Sequence, residues 1–136
     1  MPLIVEIVTP EARVYSDTIE SIVIPTVSGE IDVLPGHIPL LTQIESGELR
    51  VTKAGQTHRL AVGGGFVEIE ADHVHVLAEN AITEEKIDEG AVEEAMRRAE
   101  QQLREAEHMD PAEREHLSQL LRFSGAQLAL KRTRRH

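Results

Sequence analysis

The stretch GEIDVLPGHIPLL, residues 29–41, alternates like a β-strand, breaks at Pro-Gly-His, and meets a second proline two residues later. Proline cannot donate to a sheet ladder, and a glycine beside it marks a turn. Leu34-Pro35-Gly36-His37 therefore reads as a corner between two strands. Pro39 restricts the strand that follows to an edge or an irregular start.

Working outward, the same two-residue period recurs up to about residue 79. It runs through LIVEIV (3–8), TIESIVIP (18–25), GELRVTK (47–53), HRLAV (58–62), GFVEIE (65–70) and HVHVLA (73–78). Turn formers separate these runs at Thr9-Pro10, Ser16-Asp17, Ser28-Gly29, Pro35-Gly36, Ser46-Gly47, Ala54-Gly55 and Ala71-Asp72. Short β-branched strands at this spacing predict an antiparallel sandwich or flattened barrel. The alternation gives each strand one buried and one wet face, with Glu68, Glu70, His73 and His75 on the wet one.

After Asn80 the period changes. Thr83 is a plausible N-cap, acidic residues fill the next turn, and Ile87, Ala91, Ala95, Ala99 and Leu103 recur every four residues, which predicts a helix over about 84–107. Asp110-Pro111 caps and starts a second helix carrying Leu117, Leu120, Leu121, Ser124 and Leu128 on one side. The short connection makes the pair an antiparallel hairpin. The fold class is thus α+β, with a β-sandwich over 1–81 followed by a two-helix hairpin over 82–136. An alanine stripe buries little apolar area, so the hairpin is expected to dock weakly.

Composition narrows function mostly by exclusion. The 136 residues include no Cys and no Trp, which removes disulfides, thiolate zinc sites and cysteine nucleophiles. A formal charge of −10 argues against general nucleic-acid affinity. Its distribution is uneven: residues 1–80 hold twelve Asp/Glu against four Lys/Arg, and from Arg122 onward there are five basic residues and no acidic one. The chain reads as an acidic body with a basic tip whose target is an acidic surface. No signal-like or membrane-spanning run is visible.

No motif points to chemistry. Gly63-Gly64-Gly65 lacks the Lys-Ser/Thr of a Walker loop and the third spaced glycine of a dinucleotide fingerprint, so it reads as a β-bulge or close backbone crossing. His73 and His75 share a strand face without a third ligand nearby, and His108, His116 and His136 have no metal-binding spacing. No nucleophile elbow occurs. No metal or cofactor is expected, and the chain makes a poor independent enzyme.

Taken together, SGEIDVLPGHIPLLTQI, GGGFVEI, VHVLAENA and the alanine-rich hairpin closely resemble the ε subunits of F-type ATP synthases, over essentially the whole chain. The resemblance implies a non-catalytic rotor subunit that couples proton-driven rotation to the catalytic head. Its partners would be the γ subunit, the loops of the c-ring and acidic segments of the catalytic α/β subunits. It implies Glu30 facing the c-ring and His37 near γ. It also implies a hairpin that lies on the sandwich or extends up the rotor, where Arg122, Lys131, Arg132, Arg134 and Arg135 would meet the catalytic subunits and block ATP hydrolysis.

Members that bind ATP here tend to carry Ile/Leu-Asp-x-x-Arg-Ala at the start of the first helix. Ile87 and Asp88 match, but Ala91 and Val92 replace Arg and Ala, so weak or absent ATP binding is expected. The implied location is peripheral, on the cytoplasmic side of a bacterial plasma membrane. The rival readings are a free-standing sandwich-plus-hairpin binding module and a small hydrolase; neither accounts for the signature block and the hairpin together.

Overall fold

The computed structural model describes residues 2–133. Eight strands come first: β1 (Leu3–Val8), β2 (Arg13–Ile19), β3 (Ser21–Thr26), β4 (Gly29–Val33), β5 (Leu40–Gln43), β6 (Gly47–Lys53), β7 (Gln56–Glu70) and β8 (His73–Thr83). A 3₁₀ turn (Glu84–Lys86) leads to α1 (Glu89–Glu105), and α2 (Pro111–Thr133) closes the chain.

The strands hydrogen-bond in the order β2-β1-β8-β7-β6-β3-β4, with β5 added on β7. All pairings are antiparallel except β1 with β8, which is parallel. The two longest strands join the layers. Residues 56–62 of β7 pair with β6, and residues 66–69 pair with β5, while the start of β8 pairs with β1. The β7–β8 hairpin thus belongs to both layers of the sandwich.

That sharing depends on the glycines. Before them, the even-numbered Leu60 and Val62 face the core; after them, the odd-numbered Val67 and Ile69 do. The left-handed Gly64 (φ +66°) and Gly65 (φ +103°) turn the strand over. Register is the same on both sides, with Gly63 opposite Asn80 and Gly65 opposite Ala78, so the segment is a close crossing and not a bulge. The two strands expected at 58–62 and 65–70 are one continuous strand for this reason. Likewise Ser16-Asp17, expected as a turn, lies inside β2, because pairing to Glu6 and Val5 on β1 and a salt bridge from Asp17 to Lys53 hold it extended.

The core is aliphatic, as the scarcity of aromatics requires: Leu3, Val5, Ile7, Ile22, Ile24, Leu49, Val51, Val67, Val74 and Val76 are fully buried among others. A second cluster of Ala61, Ile87, Val92, Leu128 and Leu130 lies between the sandwich and the helices. Helix α2 rests on β7 and β6, and α1 packs on α2.

Two details of the hairpin depart from expectation. The cap of α1 is Asp88, whose carboxylate accepts from the Ala91 amide at 3.1 Å; Thr83 precedes only the 3₁₀ turn and makes no side-chain cap bond. Ile87 is extended (φ −70°, ψ 123°), so the helix cannot begin before Asp88. The inward stripe of α1 is Val92, Met96, Ala99 and Leu103, while Ala91 and Ala95 are exposed. Steps of four, three and four residues follow the 3.6-residue turn, whereas a strict four-residue series rotates off the face. Helix-to-helix contact therefore uses larger side chains than an alanine stripe would. For α2, Asp110 caps as expected, accepting from the Ala112 amide at 3.0 Å.

Candidate partner-binding site

Pro35 and Gly36 form a type II turn: the His37 amide donates to the Leu34 carbonyl at 3.1 Å, and Gly36 has φ +85°. The His37 ring donates through Nδ1 to the Ile38 carbonyl at 2.6 Å. The corner presents apolar side chains to solvent, with Ile38 74% and Leu34 56% exposed. Pro39 then leads into β5, which pairs with β7.

Glu30 sits at the other end of β4, just past the β3–β4 turn where Thr26 Oγ1 donates to the Gly29 carbonyl at 2.6 Å. From Glu30 to Val33 the extended chain covers on the order of 10 Å, so Glu30 and His37 are not brought together. Instead Glu30 joins an ionic ladder across the outer face. Arg50 reaches Glu30 at 3.2 Å and Glu48 at 3.1 Å, and Arg59 holds the other oxygen of Glu48 at 2.9 Å. The hydrogen bond to Glu30, outweighing partial burial, pushes the Arg50 guanidinium further above its usual range.

One surface escaped the sequence reading. Leu41, Phe66 and Leu77 are 66%, 53% and 56% exposed, and Phe66 pairs directly with Leu77 across β7 and β8, with Leu41 diagonal to Phe66. A shallow cleft of about 290 Å³ lies among them with Glu68 and His75. Another, of about 380 Å³, runs between Phe66, Leu77 and Val8-Thr9-Pro10. The signal was present: the alternation that puts Glu68, Glu70, His73 and His75 outside puts Phe66 and Leu77 there too. The three side chains form one contiguous apolar patch on the outer face of β5, β7 and β8.

Three basic residues of α2, Arg122, Lys131 and Arg132, are engaged within the chain. Arg122 donates to Glu115 and Gln119, both at 2.8 Å. Lys131 Nζ donates to the Glu84 carbonyl at 3.1 Å. Arg132 pairs with Glu93 at 2.7 Å and Glu89 at 3.6 Å. Arg134 and Arg135 lie outside the described residues.

Of the nucleotide candidates, Ile87 is buried beneath the hairpin and the Asp88 carboxylate caps α1. Asp88 and Lys86 are the charged lining residues of a cleft of about 350 Å³ among β8, α1 and α2. His73 and His75 stack with ring centroids 6.0 Å apart. Among the described residues no group of three His, Asp or Glu is placed to hold a metal ion.

The family comparison matches residues 2–84 to the model described as ATP synthase, Delta/Epsilon chain, beta-sandwich domain. The ATP synthase epsilon chain of Bacillus cytotoxicus is 40% identical over 129 residues, covering 94% of this chain and 88% of that one. The chain belongs to the ATP synthase epsilon chain family. The Bacillus subtilis epsilon chain is 46% identical over 99 residues, 73% of this chain and 75% of that one. Among solved structures, a chain in the Euglena gracilis mitochondrial ATP synthase, in an OSCP/F1/c-ring assembly, matches with a TM-score of 0.74 at 23% identity, covering 95% of this chain and 81% of that one; this likeness concerns the fold. An epsilon chain is a non-catalytic subunit of a membrane-associated complex, and among the described residues no helix is long and apolar enough to cross a membrane.

Proposed function

We propose that this chain is a central-stalk rotor subunit that couples c-ring rotation to ATP synthesis and restrains ATP hydrolysis through its hairpin. The sandwich (1–81) is the docking body: Leu41, Phe66 and Leu77, with His37 near the same β5 edge, face γ, and Glu30 faces the c-ring loops. The hairpin (82–136) is the regulatory arm. It carries Arg122, Lys131 and Arg132, and beyond the described residues Arg134 and Arg135, toward acidic segments of the catalytic α/β subunits. The complex holds the chain on the cytoplasmic side of a bacterial plasma membrane. Ile87 and Asp88, buried and capping respectively, leave ATP binding weak or absent.

The observation that carries the regulatory reading is the pairing of Arg132 with Glu93, side chains 52% and 47% exposed. Pairs this exposed contribute only about 0.2–1 kcal/mol, so an acidic surface on a partner competes for the same cation. The test is ATP hydrolysis by a catalytic head depleted of this subunit, with the full chain added and then a version ending at Thr83. Suppression by the full chain alone supports the arm. Equal rates with both forms, each bound to γ, would reduce the chain to a coupling spacer.

A further inference from the structure

The three consecutive glycines have different neighbours. A Cβ on Gly65 would fall on the Leu77 carbonyl, and Gly65 has φ +103°, so it is required by the sheet. Gly64 also has a left-handed φ, +66°, and a Cβ there would lie 2.8 Å from Gln119 Nε2. Gly63 differs from both. Its φ is not in the left-handed region, so the backbone there accepts any residue. What reserves the position for glycine is α2: a Cβ on Gly63 would stand 3.0 Å from Phe123 Cβ, 3.1 Å from Phe123 Cδ1 and 3.3 Å from Gln119 Nε2.

Phe123 Cβ is fixed to the helix backbone and cannot swing aside as a chain end can. A Cβ at Gly63 therefore requires α2 or β7 to give by a few tenths of an ångström, and a larger side chain requires more. Beside this point Gln119 donates to Ser46 Oγ at 3.4 Å, and fully buried Ala61 lies in the apolar cluster with Leu128 and Leu130. Farther along α2, Lys131 reaches the Glu84 carbonyl, in the segment that joins the sandwich to α1. Because α1 packs on α2, it is held to the sandwich largely through α2.

We propose that Gly63 is the seat of α2, and that its close contact with Phe123 and Gln119 sets the balance between a docked and a released hairpin. The regulatory consequence rests on the reading given above; the seat itself is a property of the isolated chain. While α2 is seated, Lys131 and Arg132 are held by the connecting segment and α1. A bulkier residue at position 63 shifts the population toward release without touching any charge.

The chain has no cysteine, so a single Ala61→Cys in the full chain reports release: its thiol is covered while α2 is docked and is labelled by a thiol reagent when α2 leaves. Gly63→Ala is expected to raise the labelling rate roughly tenfold and Gly63→Val more, since overpacking by one or a few methyls costs about 1–3 kcal/mol. Phe123→Ala, which loosens the seat from the helix side without altering the sheet, should raise it as well. Gly125→Ala, where an added Cβ meets nothing within 4 Å, should not raise it. Unchanged labelling in Gly63→Ala, Gly63→Val and Phe123→Ala would overturn the proposal. So would equal acceleration by Gly125→Ala. If Gly63→Ala labels faster yet does not deepen suppression of hydrolysis in the reconstituted head, the seat stands and the inhibitory reading fails.

Discussion

Replacing Glu93 by lysine reverses the partner of Arg132 at the open end of the hairpin. The magnitude follows from the geometry. The Arg132–Glu93 pair at 2.7 Å is about half exposed on both sides, so its loss costs about 0.5 kcal/mol, and the new like-charge contact adds a similar amount. A bias of about 1 kcal/mol changes an equilibrium about fivefold. The pair joins α1 to α2, so the labelling rate of a thiol on the inward stripe of α1, Ala99→Cys, should rise about fivefold at low salt. At 1 M salt, where the screening length is about 3 Å, most of the difference should vanish. Exchanging the charges, Glu93→Arg with Arg132→Glu, should restore most of the original rate. Arg132 also faces Glu89 at 3.6 Å, which Glu93→Lys leaves in place, so the effect stays modest. A salt-insensitive change, or no recovery in the exchanged pair, would refute an electrostatic clasp.

Further outcomes follow from the sandwich. Gly65→Ala forces a side chain into a left-handed site (φ +103°) and onto the Leu77 carbonyl; it should cost about 2–5 kcal/mol in urea unfolding, and wild-type stability would contradict the crossing described here. Leu49→Ala, fully buried, should cost about 2–5 kcal/mol by the same measurement. The hydrogen bond from Lys53, with a smaller one from the Thr18 amide, holds the Asp17 carboxyl below its usual value of 3.8. Its contribution is therefore present above about pH 4 and lost as pH falls through the lowered value, so the stability gap between the wild type and Asp17→Asn should narrow from pH 6 to pH 2.5. Arg50→Gln releases Glu30, while Arg59 still holds Glu48; a double-mutant cycle with Glu30→Gln should give a coupling of about 0.5–1 kcal/mol in urea unfolding, and a value near zero would mean that Arg50 does not position Glu30.

Period-two alternation, the Pro-Gly corner, the Asp110-Pro111 helix start and the absence of cysteine are local properties, and the sequence by itself determined them. They were enough for a sandwich followed by a hairpin. They placed Glu68, Glu70, His73 and His75 outside, and the same pattern carried Phe66 and Leu77 with them. The tertiary structure decided what depends on distant neighbours. Ser16-Asp17 reads as a turn by composition, but Lys53, 36 residues away, and the β1 partner keep it extended. The face of α1 was set by which side chains α2 accepts, and the 3.6-residue turn put Val92 and Met96 inward in place of Ala91 and Ala95, while Ala99 and Leu103 stayed on the stripe. No local pattern announces that Gly65 serves the sheet while Gly63 serves a helix sixty residues later. Local sterics fix what a residue can adopt, and only packing fixes what it must leave room for.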